Sequence, residues 1–382
     1  MNRKSLILSS VCVILLIALV GGTLAWFYIN QEVSVNYGNS IFCEAGDSLE
    51  ISLINENGNP TRWSGSIDYS AGEFTAVDIS GDGCYLYRPA EIDENQNPIN
   101  LLPATSTLND RGNYDYIEMV VAFRSVSKMN VYLSEESFIQ PVDTSIPDNP
   151  NDPTANIYGR FSRDYIAGAM RVAVVGENDE DLRMLWAPNS KYELIDNLDG
   201  TYNFKEDSIP ESAYYFYGED ENGDIVLQNI SSDLYANKKF VVDSTGAKAG
   251  DTGNSPVLVS LNPTTEGVPD MKVVKIRIWF EGTDREAHQA LAGGNVKVQL
   301  KFIGIAKETD EDKQTVIDNI TFDQNSSRFA GLSEGMVFST DGRTWSSVAP
   351  DMAAMESGSS VYIKYPETAT HYETSCRKFT KD

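Results

Sequence analysis

Two segments late in the 382-residue chain alternate apolar and polar residues with a period of two. In 273–280, Val274, Ile276, Ile278 and Phe280 alternate with Lys275, Arg277 and Trp279. In 296–302, Val296, Val298, Leu300 and Phe302 alternate with Lys297, Gln299 and Lys301. Side chains of a strand point alternately to opposite faces, so each segment is predicted to be a strand with one core-facing and one solvated side. Ile117, Met119, Val121 and Phe123 share one face in 116–123 in the same way. Turn sequences punctuate the chain at Asn57-Gly58, Gly81-Asp82-Gly83, Asp199-Gly200, Asn222-Gly223 and Asp341-Gly342. Further strands are expected at 31–36, 49–54, 84–88, 129–133, 169–175, 183–187, 201–205, 213–217, 225–229 and 239–243. Helical periodicity is rare. Its best case is Asp284–Leu291, with Thr283 or Asp284 as cap and Gly293-Gly294 as stop. Many short strands separated by Gly, Asn and Asp turns predict an all-β chain built as a sandwich or barrel.

Two stretches read as loops. Residues 141–156 hold four prolines and no strand pattern, and 307–315 (KETDEDKQT) is a charged run without core residues. The second separates a large β-sandwich domain, 26–306, from a small C-terminal β domain, 316–382, with 307–315 as linker.

Acids outnumber bases 56 to 30, for a net charge of −26, which argues against nucleic acid, whose phosphates are held by clustered Lys and Arg. The chain has only two histidines, His288 and His371, in different domains. It has no His-Glu-x-x-His, and no residue set pairs a nucleophile with a plausible base. A catalytic zinc takes three protein ligands, so no catalytic residue and no firm metal site are assigned, and the chain reads as a non-enzyme. Calcium is the one cofactor the residues suggest. Asp220, Asn222 and Asp224 place oxygen side chains at alternate positions, and Glu177–Asp181 is a dense acidic loop; the competing reading of 220–224 is a plain hairpin turn. Beyond Cys12, which lies in the apolar N-terminal run, the cysteines are Cys43, Cys84 and Cys376. Cys43 and Cys84 either pair or stay as buried thiols, with Cys376 left over.

The N-terminus reads as an export sequence. Asn2-Arg3-Lys4 precedes an uncharged, mostly apolar run from Ser5 to Ile29. Thr23 and Ala25 put small residues at −3 and −1 of a cut before Trp26, so residues 1–25 are a signal peptide. The alternative is a retained membrane anchor, with the membrane touched only through residues 5–29. Cleavage removes Arg3 and Lys4 and no acid, taking the net charge from −26 to −28. The mature chain then starts Trp26, Phe27, Tyr28, Ile29, followed by Val33 and Val35. Such an apolar strand either completes the sheet of a neighbouring copy, building filaments, or is the first strand of its own sheet.

The basic start, the apolar run and Val20-Gly21-Gly22-Thr23-Leu24-Ala25-Trp26-Phe27 together resemble the signal of the TasA/camelysin family of Gram-positive bacteria. Residues 274–305 resemble that family's closing strand pair, and 114–133 and 164–188 resemble other exported proteins of the same bacterial group. The resemblance implies a jelly-roll sandwich, secretion to the cell surface or matrix, and a signal peptidase that cuts after Ala25. It also implies assembly with itself or other matrix proteins into biofilm fibres by donation of the N-terminal strand. Gly331-Leu332, 335–345 (GMVFSTDGRTW) and Val361–Tyr365 resemble a small β module of Gram-positive surface proteins, used there as spacer or adhesive appendage. Two alternatives stand beside the fibre subunit. One is a surface adhesin or binding module for glycan or protein, with Trp63, Trp279 or Trp345 available for stacking. The other is a camelysin-like metalloprotease. The fibre reading expects filaments in negative-stain micrographs of residues 26–382 and none from 38–382; monodisperse particles from both, with and without calcium, would sink it.

Overall fold

The computed structural model describes residues 33–36, 40–43, 49–68, 73–76, 79–92, 98–107, 114–143, 163–188, 192–196, 202–206, 215–241, 246–248, 251–284, 287, 294–368 and 370–382. The expected strands are present, and the described chain is mostly β. Residues 1–32, most of Asp284–Leu291, and His288 lie outside the described residues. Among those described, no helix is long and apolar enough to cross a membrane.

Two six-stranded sheets face each other. In the first the order is β18 (Phe240–Val241), β13 (Leu182–Trp186), β12 (Met170–Gly176), β20 (Asp270–Phe280), β9 (Ile117–Ser125) and β3 (Leu49–Leu53). In the second it is β19 (Val259–Leu261), β10 (Met129–Leu133), β21 (Val296–Ile305), β2 (Ser40–Cys43) and β4 (Ser66–Asp68), with β11 (Phe138–Pro141) also paired to β21. The sheets are not purely antiparallel, because β2 runs parallel to β21 and β18 parallel to β13.

The alternation read from the sequence sets the facing core. Val172, Val174, Ile276, Ile278 and Phe123 from the first sheet meet Val131, Val298, Leu300 and Phe302 from the second. Phe123 and Phe302 touch edge to face at 5.0 Å across this layer. Burying such a set removes apolar surface from water at about 25 cal/mol per Å2, which makes this layer the main source of stability.

The opposite face of β20 departs from expectation: it is buried too. A second cluster, with Ile79, Leu86, Ala173, Val175, Leu185 and Trp279, covers it. Its cover comes from β6 (Ser80–Gly81), β7 (Leu86–Ile92) and β8 (Pro98–Pro103), and from the hairpin of β16 (Tyr215–Glu219) with β17 (Ile225–Asn229). Trp279 is therefore 0% exposed, although its strand reads as half-solvated. Arg277 is buried with it, and its charge is met by Glu118 at 2.8 Å, by Asp179 at 2.5 Å and by the carbonyls of Gly83 and Cys84. Two further ribbons stand apart from the sheets: β1 (Val33–Asn36) with β5 (Glu73–Ala76), and β14 (Tyr192–Asp196) with β15 (Tyr202–Glu206).

The C-terminal module has its own core of Ile317, Ile320, Met336, Phe338, Val361 and Ile363. It consists of the hairpin β22 (Thr321–Asp323) and β23 (Arg328–Ala330), and a sheet of β24 (Val337–Ser339), β25 (Ser360–Lys364) and β26 (Arg377–Thr380). The expected linker 307–315 is corrected here, because Glu311–Asp318 is a helix of this module. Asp310 caps it by accepting from the Lys313 amide at 3.0 Å, Glu311 and Asp312 favour its first turn, and Ile317 anchors it in the core. The charged run takes in the segment before the helix and its first turns, and ends before the Ile317 anchor.

Glu281 lies wholly buried beneath the second cluster. Its Oε2 accepts from Trp279 Nε1 at 3.0 Å, and its Oε1 lies 3.0 Å from Thr283 Oγ1. The single Thr283 hydroxyl proton is within reach of the Tyr215 carbonyl at 2.7 Å. When it is donated there, the Thr283 oxygen is left to accept from a protonated Glu281. Burial raises the Glu281 carboxyl from 4.5 to about 7, against the Arg171 charge and the bonds from Ser80 and Trp279. The folded chain thus holds a proton that the unfolded chain releases between pH 4.5 and 7. This contribution to stability is complete below pH 4.5 and declines as pH rises through 7. Chemical denaturation at pH 5 and 7.5 should show wild type losing about 2 kcal/mol more stability over that interval than Glu281→Gln. Parallel pH profiles would contradict the assignment.

Candidate functional site

A concavity lies where the C-terminal module docks on the sandwich. One wall comes from a short helix, α1 (Ser232–Ala236), and the segment after it. Tyr235, Lys238 and Phe240 face the cleft, and the 251–254 loop adds Asp251. The other wall is the loop between β24 and β25, with Arg343 and Trp345, followed by Lys364, Glu367 and Glu373. The cleft measures about 780 Å3, and a second lobe of about 270 Å3 shares Lys238, Lys364, Glu367 and Glu373 with it. Both volumes suit a small ligand or one residue of a polymer.

Local hydrogen bonding fixes the 339–345 loop. The Asp341 carboxylate accepts from the amides of Arg343 and Thr344, both at 2.8 Å, and from the hydroxyls of Ser339 at 2.9 Å and Thr344 at 3.1 Å. Burial opposes its ionisation, but these donors outweigh burial and hold the carboxyl below its usual range. Gly342 makes the turn with φ +74°, and its Ser339-bonded amide faces into the protein. A Cβ there would lie 2.5 Å from the Ser232 carbonyl oxygen and 2.8 Å from the Ala236 amide of α1. The loop can touch the sandwich only because this residue has no side chain. It then presents Arg343 with its guanidinium 3.8 Å from the Tyr235 ring, and Trp345 with the Lys364 ammonium 4.2 Å from its own ring.

Polar contacts hold the junction. Glu373 joins both modules, bonding Lys238 of the sandwich at 2.8 Å and Lys364 of the C-terminal module at 2.6 Å. Burial would raise its pKa, but the two ammonium groups prevail and keep it lowered. Lys307 and Thr252 both reach Glu367. Tyr362 donates to Asp233 at 2.9 Å, and Lys378 bonds the same carboxylate at 3.0 Å. Lys238 adopts φ 56°, a left-handed conformation that costs a side-chain-bearing residue about 1–2 kcal/mol. Its ammonium also donates to the Gly253 carbonyl at 3.0 Å, so tertiary contacts hold the strained backbone.

Of the residues singled out from sequence for stacking, Trp345 lies in the cleft, where it is joined by Gly342 of the predicted turn, Arg343 and Lys364 of the C-terminal resemblance, and Cys376 in the second lobe. Thr23, Ala25, Trp26, Phe27, Tyr28 and Ile29 lie outside the described residues. Val33 and Val35 lie in β1, paired with Ala76 and Phe74 of the same chain. Asp220, Asn222 and Asp224 close the β16–β17 turn, where Asp220 Oδ1 accepts from the amides of Asn222 at 2.8 Å and Asp224 at 2.9 Å. In the acidic loop 177–181, Asp179 is bound by Lys275 and Arg277, and Asp181 by Arg183. Among the described residues, no group of three or more His, Cys, Asp or Glu is arranged to hold a metal.

The Cys43–Cys84 pairing is not formed. Cys84 is a free thiol packed in the second cluster, on the outer face of the first sheet, whereas Cys43 belongs to β2 of the second sheet. Burial and the Asp82 charge push the Cys84 thiol up to about 12, and burial pushes Cys376 to about 11, which makes both poor nucleophiles. Trp63 lies under Arg124 at 4.3 Å, and His371 bonds Thr370 at 2.8 Å.

The other cleft residues carried no local sign. Their side chains come from widely separated segments, and Tyr235, Lys238 and Phe240 read only as part of an ordinary strand approach. No family model matches the chain, and neither the curated proteins nor the solved structures gave a match. The geometry of the cleft therefore carries the functional reading.

Gly342→Ala should open the junction. Forcing a Cβ into a left-handed turn and against α1 costs roughly 2–4 kcal/mol. Hydrogen exchange should show faster exchange at 232–239 and in the 339–345 loop, with the β9, β12 and β20 amides unchanged. Unchanged exchange at α1 would mean that the contact is not needed for docking.

Proposed function

We propose that the chain is an exported β protein of the surface or extracellular matrix of a Gram-positive bacterium, and that it holds a ligand in the cleft between sandwich and C-terminal module. The observation that carries this reading is the cleft itself: a concavity of about 780 Å3 with aromatic rings and charged groups converging from both modules. Export rests on residues 1–25, and the surface location on the resemblance of the signal and of the C-terminal module. Binding is favoured over catalysis because Glu373 is held ionised between two ammonium groups. That arrangement shapes a site but suits proton transfer near neutrality poorly. Asp220, whose carboxylate closes its own turn, is assigned no calcium role.

A second reading, the fibre subunit with itself or another matrix protein as partner, is favoured by one observation. Among the described residues, β1 belongs to neither main sheet and pairs with β5 over four residues. An isolated two-stranded ribbon is marginal in water, so the pairing is open to exchange with another copy. The jelly-roll connectivity belongs to this reading. It is supported by the adjacency of β2 and β21, early and late strands of the sandwich, although their parallel sense differs from an antiparallel closure.

The binding reading is tested by sedimenting purified protein with Gram-positive wall and matrix fractions. Saturable binding by wild type, reduced at least tenfold in Trp345→Ala with an unchanged melting temperature, is the expected result. Equal binding by the two proteins, or none by either, would remove the cleft as the functional site.

A further inference from the structure

The hairpin that covers the second cluster is attached to the sandwich through one buried carboxyl group. The backbone fixes Glu281 in place: its amide donates to the Ala169 carbonyl and the amide of Gly282 to that of Ile79, both at 2.8 Å. Its two carboxyl oxygens have different surroundings. Oε2 faces two N–H donors, Trp279 Nε1 at 3.0 Å and the Gly81 amide at 3.4 Å. A proton on Glu281 therefore belongs on Oε1, whose closest neighbour is Thr283 Oγ1 at 3.0 Å. Two hydroxyls carry the connection from this carboxyl to β16. Ser80 bonds the carboxyl and accepts from the Tyr217 amide at 2.7 Å, an arrangement that suits either state of Glu281. Thr283 reaches the Tyr215 carbonyl at 2.7 Å, and this second bond depends on that state.

Thr283 has one hydroxyl proton and two acceptors. With Glu281 protonated, the acid donates to Thr283 Oγ1, and the Thr283 proton goes to Tyr215. With Glu281 ionised, the carboxylate is the stronger acceptor, the hydroxyl turns to it, and the Tyr215 carbonyl loses this donor. The element thus has two positions, and one proton chooses between them. The surrounding charges leave the choice to Glu281. Arg171 of β12 acts on it, but is bound by Asp284 and by the carbonyls of Gly168 and Met170. Arg277, on the same face of the strand, is taken up by Glu118 and Asp179. On β16, burial pushes the Tyr217 phenol up to about 12, and Glu219 lies at the exposed far end. Asp82, in the turn after β6, is also raised by burial and accepts from the amides of Cys84 and Tyr85, so a variant of Glu281 that leaves Asp82 in place separates the two.

The hairpin continues into the cleft. β17 ends at Asn229, Ile230 is buried in the second cluster, and Leu234 and Tyr235 of α1 pack against the same cluster. Hairpin and helix therefore lie on one support, and α1 carries Tyr235 to the cleft wall. We propose that Glu281 and Thr283 form a proton-operated latch that holds the β16–β17 hairpin, and with it the α1 wall of the cleft, tightly in acid and more loosely above neutrality. The latch stands whether or not the cleft takes a ligand; only its control of binding rests on the binding reading above.

Hydrogen exchange of the purified chain tests the latch without any ligand. The informative amides are those of 215–229 and 232–239 that exchange by local opening, faster than the slowest amides of β9, β12 and β20. From about pH 5 to about pH 8.5 their protection factors should fall about fivefold in wild type, equivalent to one hydrogen bond of about 1 kcal/mol. Glu281→Gln, whose amide donates to Thr283 as the protonated acid does, should keep protection high at both values. Thr283→Val should keep it low at both, and Thr283→Ser should restore the wild-type response. An equal fall in Glu281→Gln and wild type would overturn the latch. A fall confined to 215–229 would overturn its reach to the cleft. Neither outcome involves a ligand, so failure of the binding reading in the sedimentation assay is distinguished from failure of the latch.

Discussion

From Ile276 to Phe280, strand Asp270–Phe280 is buried on both of its faces, and most of the architecture depends on that fact. Inward, Ile276 and Ile278 join the layer between the two sheets; outward, Trp279 and Arg277 sit beneath the second cluster. Its neighbours β9 and β12 are held along nearly their whole length by its ladder. A buried arginine in mid-strand is tolerable only if its charge is met, and Glu118, Asp179 and two loop carbonyls meet it. Those partners tie the 83–84 turn and the acidic loop near 179 to the sheet. One unfavourable burial therefore becomes the reason that distant loops have fixed places.

The molecule uses its scarce cations in the same way elsewhere. Arg171 is buried against Asp284, Lys364 against Glu373, and Lys307 against Glu367. In a chain with nearly two acids for every base, each buried cation allows a carboxylate to be placed inside as well. The inner charges thus connect elements, while most of the remaining acidity faces water.

The alternation in 273–280 and 296–302 made the central strands legible, because a period of two admits no other regular structure. The Gly- and Asn-containing turns located most of the rest. The same pattern misled about the outer face of β20: Lys275, Arg277 and Trp279 read as a solvated side because the partners of Lys275 and Arg277 lie about 100 to 190 residues away in sequence. The linker misread has a local cause. Its later residues, from Glu311, begin a helix whose buried anchor, Ile317, falls just beyond the run, and Lys307 at its start is paired with Glu367. The cleft was almost invisible in the sequence. Gly342, Arg343 and Trp345 share one loop, but its two walls become neighbours only when two modules dock, and no spacing rule spans that distance. Of the two readings left open for Cys43 and Cys84, Cys84 is the free thiol, in the turn before β7 on the outer side of the first sheet, while Cys43 belongs to β2 of the second.

The junction between the modules differs in kind from the sandwich core. It has one small apolar cluster, of Tyr132, Ala247 and Ile305 with Tyr372 beside them; ion pairs and hydroxyl bonds supply the rest. Apolar burial is indifferent to dilute salt, whereas partly exposed charge pairs weaken as the screening length shortens from about 30 Å at 0.01 M to about 8 Å at 0.15 M. The joint is therefore compliant where the body is rigid. Its stiffness is set by the surrounding medium, so the walls of the cleft are held more loosely in brine than in fresh water.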